Sequence, residues 1–259
     1  MHKHLAWVLP LSLGTIILSA WYFLVESGRI NPFMLPSPRV VIEKLWTESD
    51  RLGIAAWRTF LVSILGFVAA SGGGFLIALV LASNRYVKHT LYPFILIFQM
   101  TPIIIMIPMI GIWVGPGLGS IIIVTFVIGF FPVVANTVTG LMSTDKNLLN
   151  LFVMGNAKKS QELMQLRIPY AMPYFLTGMK IAGTLAPIGA LTGDFLLGSS
   201  TSGGLGYMIL VYKANTDTPA LFTLGLVTCV LGFLFVGSVN LIHYLLLRDW
   251  HDSYQTQES

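Results

Sequence analysis

An all-α membrane protein with about six spanning helices is the fold class this sequence predicts, on three observations. Only 10% of the 259 residues are charged against 55% hydrophobic, and the mean hydropathy is +0.77. Soluble domains carry about 25% charged residues. The apolar residues gather into about six stretches of the roughly 20 residues that a helix needs to cross a bilayer. Between the fourth and fifth of them stands a polar island, MGNAKKSQELMQLRIPYAMP, from Met154 to Pro173. It cannot lie in lipid, and its Leu163, Met164 and Leu166 need a protein surface to cover them. The single cysteine, Cys229, excludes an internal disulfide and any multi-cysteine metal site. The basic residues form no run, so nothing points to nucleic acid.

Leu5 to Val25 is the first span, after a short basic start; it is too long for a signal-peptide core and lacks a cleavage site. Pro32, Pro36 and Pro38 keep the following segment extended. From Ser37, Val40, Val41, Leu45 and Trp46 recur at helical spacing opposite Glu43, Lys44, Glu48 and Asp50. This is an amphipathic helix suited to the membrane interface. The second span, about Trp57 to Leu81, carries Ala69-Ala70-Ser71-Gly72-Gly73-Gly74, small residues that let helix backbones approach closely. The third, about Leu91 to Val114, holds Gln99 and Thr101, polar groups costly in lipid unless they face protein or water. Kinks are expected at its Pro102 and Pro108. The fourth, Ser120 to Leu141, is expected to kink or break near Pro132. The fifth runs from about Pro173 to Leu197 and includes Lys180 and Asp194. A Gly/Ser-rich turn (Gly198 to Gly206) and a polar stretch, YKANTDTPA, precede the sixth, Leu221 to Leu247. This divides the chain into 1–54 (first span and amphipathic segment), 55–247 (the main transmembrane domain, with its polar loop near 142–171) and a polar tail, 248–259.

Short loops rich in Lys and Arg face the cytosol. The fourth-to-fifth connection holds Lys146, Lys158, Lys159 and Arg167; the flanking loops hold none and Lys213. The island is therefore expected in the cytosol, with both termini there. Arg29, Arg39, Lys44 and Arg51 after the first span run against the rule, blunted by their acidic neighbours.

Laid out in this order, the residues resemble the membrane subunit of a type I ABC importer, in its nitrate/sulfonate/taurine branch, which includes thiamine- and riboflavin-precursor transporters. The resemblance rests on LPSP (Leu35 to Pro38), TPIIIMIPMIGIWVGPG (Thr101 to Gly117), GFFPVVANTVTG (Gly129 to Gly140), GNA…RIPYAMPYFLTGMKIA (Gly155 to Ala182) and GGLGYMI (Gly203 to Ile209). No single motif is specific, but the ordered set covers most of the chain from Leu35 to Ile209. It departs from the family at Leu149-Asn150-Leu151, where Glu-Ala-Ala is usual, at Ala157, where a capping serine is common, and at Asp194, where the branch usually has glutamate.

The resemblance implies a non-catalytic permease in the inner membrane of a prokaryotic cell, working as a pair of copies with cytosolic ABC ATPases and an extracytoplasmic solute-binding protein. It implies a small organic anion (sulfonate, taurine, nitrate) or a vitamin-precursor heterocycle as solute. No G-x-x-x-x-G-K-[ST] is present, so ATP and Mg²⁺ belong to the partner and no cofactor or metal is expected on this chain. The island becomes the coupling loop, with Gly155, Asn156, Ala157, Lys158, Lys159, Glu162, Leu163 and Pro169 as its candidate residues. Gly155 can divide it into two short helices, with Asn156 capping the second. Lys158 and Lys159 then sit in a first turn where cations oppose the helix dipole, which suggests that they answer acidic groups on a partner. Pro169 and Pro173 set how the chain re-enters the membrane. Gln99, Thr101, Met106 and Asp194 are the pathway or gate candidates, Asp194 because an intramembrane carboxylate is a functional suspect by default.

A stand-alone secondary transporter or channel is the alternative. It needs an ion-coupling site, and Lys180 and Asp194 lie about four turns apart, too far to pair on one straight helix. Ser200 and His243 could suggest an intramembrane serine protease. The topology puts them at opposite faces, beyond the roughly 3 Å reach that proton transfer requires.

Overall fold

A computed structural model describes residues 5–247; the basic start and the polar tail lie outside the described residues. Helix α1 (Leu5–Glu26) stands apart, burying none of its spanning window against the rest of the chain. Its far end is tied down by Trp21, which packs 6.2 Å from Phe222 and donates to the Pro36 carbonyl at 3.0 Å. Helix α2 (Pro38–Thr47) begins with Pro38 in its first turn and the Ser37 hydroxyl accepting from Val40 N–H. That is the start a proline-led helix favours.

The centre of the molecule is α3 (Ser49–Ser83), α6 (Leu118–Met142) and α9 (Ile168–Leu197), with α6 packed on both others. Small residues set these contacts. A Cβ on Gly66 would come within 2.4 Å of Thr125, and one on Gly178 within 3.0 Å of the Val133 Cα. Helices without a hydrophobic drive between them depend on such close backbone approach. Helix α11 (Thr218–Leu247) closes one side, its Phe235 meeting Phe60 and Phe67 edge-on.

The third span is one long kinked helix in the sequence reading. In the structure it is two, α4 (Arg85–Met100) and α5 (Ile103–Val114), bent by 101° at Thr101–Pro102. Pro102 offers no N–H and forces Thr101 into an extended conformation, φ −70° and ψ 125°. The Thr101 hydroxyl then satisfies the Ile97 carbonyl at 3.0 Å. Pro108, the other expected kink, lies inside α5. Near Pro132, where a kink or a break is expected, the helix is not broken: α6 runs through it, gripped between α3 and α9, and Asn136 Nδ2 donates to the Pro132 carbonyl at 2.8 Å.

The fifth span starts earlier than its sequence boundary. Helix α7 (Lys146–Met154) is followed by α8 (Lys159–Glu162), a π-helical turn at Leu163–Arg167 and α9. From Lys159 to Leu197 the chain is helical for 39 residues. The π turn sits where Pro169 and Pro173 withhold donors, and Ile168 N–H reaches back to the Leu163 carbonyl, five residues away. One helix escaped the sequence reading altogether: α10 (Leu205–Ala214), apolar but too short to span. Five helices are long and apolar enough to cross a membrane, six if α4 and α5 count as one.

Candidate functional site

Two clusters concentrate the polar chemistry. The first is the hairpin from Asp145 to Arg167. Asp145 caps α7 by accepting from Asn147 N–H at 2.6 Å. The sequence reading has Gly155 make the break and Asn156 cap the helix that follows; the structure divides the work differently. Gly155 has an ordinary φ of −77°, and Asn156 takes the left-handed conformation at φ +50°. Asn156 N–H donates to Val153 O and Ala157 N–H to Phe152 O, both at 3.0 Å. This is a Schellman C-cap with Asn in the place glycine usually fills. Asn156 therefore ends α7. Lys158 begins α8, its backbone N–H donating to Gln161 Oε1 at 2.8 Å.

Glu162 Oε1 accepts from both Nε and Nη2 of Arg167 at 2.6 Å, fastening the π turn. Leu163 turns inward onto the Leu81, Val138, Leu141 and Ala171 cluster, and Pro169 is half-buried in the first turn of α9. Gly155, Asn156, Lys158 and Lys159 are exposed and Ala157 is half-buried. Leu151, Val153, Met154 and Met164 are 57–73% exposed around the same tip.

The second cluster lies at the start of α10. Asp194, on the last turn of α9, is 3% exposed. Its Oδ2 accepts from Gly204 N–H at 2.9 Å and Tyr207 N–H at 2.8 Å. Thr59 on α3 accepts from Leu205 N–H at 3.0 Å, and Arg58 donates to the Gly203 carbonyl at 3.1 Å. A helix start leaves its first N–H groups without intrahelical partners, and two neighbouring spans supply acceptors here. Asp194 thus caps a helix ten residues on. Neither Thr59 nor Arg58 has a sequence signal that could have found it; the Asp…Gly-Gly-Leu-Gly spacing is the only hint. The other end of α10 is held too: Tyr212 donates to Glu48, and Lys44 joins Glu48 at 2.8 Å to Asp217 at 2.7 Å. Thr223 on α11 donates to the Val41 carbonyl at 3.0 Å. The amphipathic helix α2 is thus clamped onto the α10–α11 corner. Burial pushes the Glu48 and Asp217 carboxyls up, but their hydrogen bonds outweigh it and leave both below the ordinary range. For both that bond comes from Lys44, with Tyr212 adding to Glu48 and Ala220 N–H to Asp217. The bonds to Asp217 and Glu48 raise Lys44 in turn.

The four pathway candidates do not share one environment. Gln99 lies in the last turn of α4 and Thr101 at the α4–α5 break, Gln99 exposed and Thr101 half-buried. Met106 packs against the Ile107, Ile110 and Ile121 cluster. Asp194's hydrogen bonds go to the turn and α10 instead. Ser200 lies in the turn after α9 and His243 beside Lys180, with about 25 Å of α9 between those levels at 1.5 Å per residue. No group of three or more His, Cys, Asp or Glu suited to a metal exists among the described residues.

Residues 70–250 match the model of the binding-protein-dependent transport system inner membrane component family. The chain is 31% identical to the formylaminopyrimidine transport permease ThiX of Halalkalibacterium halodurans, over 84% of this chain and 86% of that one. It is 31% identical to the riboflavin transport system permease RibX of Chloroflexus aurantiacus, over 95% and 90%. The taurine transport system permease TauC of Escherichia coli is 25% identical over 98% and 96%. Among solved structures, a chain of the inward-facing MetNI methionine ABC transporter superposes with a TM-score of 0.64 at 19% identity, over 76% of this chain and 95% of that one, and so shares the fold. The family match over most of its length and the relatives aligned along most of theirs together place the chain in the binding-protein-dependent inner membrane component family, as a non-catalytic permease subunit of an ABC importer.

Proposed function

We propose that two copies of this permease form the pathway, that each receives a cytosolic ATPase at the Asp145–Arg167 hairpin, and that a small heterocycle of the pyrimidine or flavin-precursor class passes between them. The exposed apolar tip carries the docking reading. Leu151, Val153, Met154 and Met164 cannot face lipid from a segment that carries Lys158, and a protein groove would cover both kinds of group. The Schellman turn holds the tip in one shape before a partner arrives. ATP and Mg²⁺ act in the ATPase, which drives the hairpin as the engine of a two-state swing. The membrane is the prokaryotic cell membrane, with both termini cytosolic and the solute-binding protein on the opposite face. The heterocycle is favoured over an organic anion because the permeases named for formylaminopyrimidine and riboflavin are 31% identical to this chain, against 23–26% for those named for taurine and aliphatic sulfonates.

A gentle detergent pull-down of tagged permease from its native membrane tests the coupling reading. A stoichiometric P-loop ATPase is expected, lost in Met154→Glu and Gly155→Arg but kept in Gly155→Ala, whose added Cβ meets only ordinary contacts of 3.4 Å and more. Permease that comes alone and transports alone in liposomes would return the protein to the secondary-transporter class. Melting shifts of the co-encoded binding protein with pyrimidines, flavins and sulfonates decide the solute.

A further inference from the structure

A cleft of about 480 Å³ opens between the inner ends of the spans and the hairpin, lined by Leu81, Ser83, Lys88, Lys159, Leu163 and Arg167 among others. Its charge is one-sided. Glu162 is the one acid in the lining among the described residues, and Arg167 already occupies it at 2.6 Å. Lys88 and Lys159 form no ion pair among the described residues. Around the Lys88 ammonium lie the Met142 sulfur and the face of Tyr92, its centroid 5.6 Å away. The cations arrive on separate elements, α4 on one side and α8 with its π turn on the other. Ser160 adds a hydroxyl donor, while the Ser83 hydroxyl donates to the Val80 carbonyl at 2.7 Å. Leu81 and Leu163 belong to, or pack on, the apolar cluster that runs inward along α3, α6 and α9. The cleft therefore has a cationic mouth and an apolar floor at the level where the α3 span ends.

We propose that this cleft binds the phosphate headgroup of an anionic phospholipid of the cytosolic leaflet. The placement rests on the cytosolic hairpin argued above. A phosphodiester fits between Lys88 and Lys159, its oxygens accepting from the ammonium groups and the Ser160 hydroxyl, and its glycerol and acyl start lie along Leu81 and Leu163. Basic pockets between spanning helices on the cytosolic side suit such headgroups, and each lysine near the surface adds about fivefold in affinity for them. The lipid would bridge the α3–α4 turn to the hairpin, joining the bilayer directly to the element that couples.

The test uses the permease–ATPase complex in nanodiscs of phosphatidylcholine with or without phosphatidylglycerol, then native mass spectrometry of retained lipid. Wild type is expected to keep phosphatidylglycerol through delipidation. Lys88→Gln should lose it about fivefold more readily while the ATPase stays bound, and Lys88→Arg should restore it. Equal retention by wild type and Lys88→Gln, or no preference over phosphatidylcholine, would overturn the proposal. So would loss of the ATPase from Lys88→Gln with lipid unchanged, which would make the cleft part of the protein interface. Protection of the site by soluble glycerophosphate in phosphatidylcholine discs would also overturn it, in favour of a free phosphate ester. Because an ATPase must be present in the wild-type complex, failure of the coupling reading shows first and separately.

Discussion

Removing the Asp194 side chain should loosen one end of the molecule by an amount the geometry sets. Asp194→Ala strands a buried donor, Gly204 N–H, and a half-buried one, Tyr207 N–H, which Oδ2 now holds at 2.9 and 2.8 Å. A buried donor left without its partner costs about 1–3 kcal/mol, so the two together cost about 2–6 kcal/mol. Part of this is returned, because Oδ1 is buried without a partner in the native protein and that cost vanishes with the side chain. A net loss of about 3 kcal/mol remains. For a chain of this size it lowers the melting temperature by about 6–12 °C. Asp194→Asn keeps an oxygen for both N–H groups and should melt within about 3 °C of wild type, by the same scaling. Thermal unfolding in detergent, followed by tryptophan fluorescence, reads both variants. Alanine melting with the wild type, or asparagine falling as far as alanine, would refute the capping role. An Asn variant that melts normally but no longer supports uptake would give the carboxylate a task in the pathway beyond holding α10.

Other substitutions probe the remaining contacts. A Cβ on Gly206 would stand 2.2 Å from the Leu191 carbonyl and 2.6 Å from Phe195 N. Backbone cannot yield as side chains do, so Gly206→Ala should cost at least the 1–3 kcal/mol usual for overpacking, read as a lower melting point and lost uptake. Asn156→Val places a β-branched residue at φ +50° and should weaken the hairpin by about 1–2 kcal/mol, whereas Asn156→Gly should be neutral; ATPase co-purification and proteolysis at the hairpin distinguish them. The Lys44–Glu48–Asp217 cluster titrates at both ends of the pH scale. Its two carboxyls lie below their ordinary values, so their contribution is complete above about pH 5 and is lost as pH falls through and below about 4. Lys44 is raised, so its contribution is complete below about pH 10 and lost above it. Lys44→Met should therefore lower the melting point at pH 7, by the 0.2–1 kcal/mol typical of partly exposed pairs, and the difference should shrink at pH 3 and in high salt.

What the sequence revealed was whatever lipid dictates. Five of the apolar stretches became spanning helices and the sixth a broken pair, because burial in hydrocarbon depends on composition over about 20 residues and composition is local. What stayed hidden depends on partners distant in the chain. Helix α10 is too short to announce itself, and it is held by Thr59, 146 residues away, and by Asp194. Pro102 and Pro132 carry the same local signal but have opposite outcomes. The first lies in a thinly packed segment and ends a helix; the second is enclosed by α3 and α9 and does not. Asn156 carries capping chemistry in its side chain, but the fold uses its backbone freedom instead, at the end of α7. Glu48, Lys44 and Asp217 read as ordinary surface charges until folding brought α2 against the α10–α11 corner.

The unbroken helical run from Lys159 to Leu197 has a mechanical consequence. Thirty-nine residues at about 1.5 Å each make a shaft about 58 Å long, with the hairpin at one end and the Asp194 latch at the other. Rocking such a shaft by about 10° around its midpoint displaces each tip by about 5 Å, one full helical pitch. The latch takes hold through backbone N–H groups rather than a flexible side-chain pair, so this travel passes to α10 with little slack. The π turn, fastened by the Glu162–Arg167 pair, lies near the hairpin end of the shaft, the side that the proposed coupling would drive.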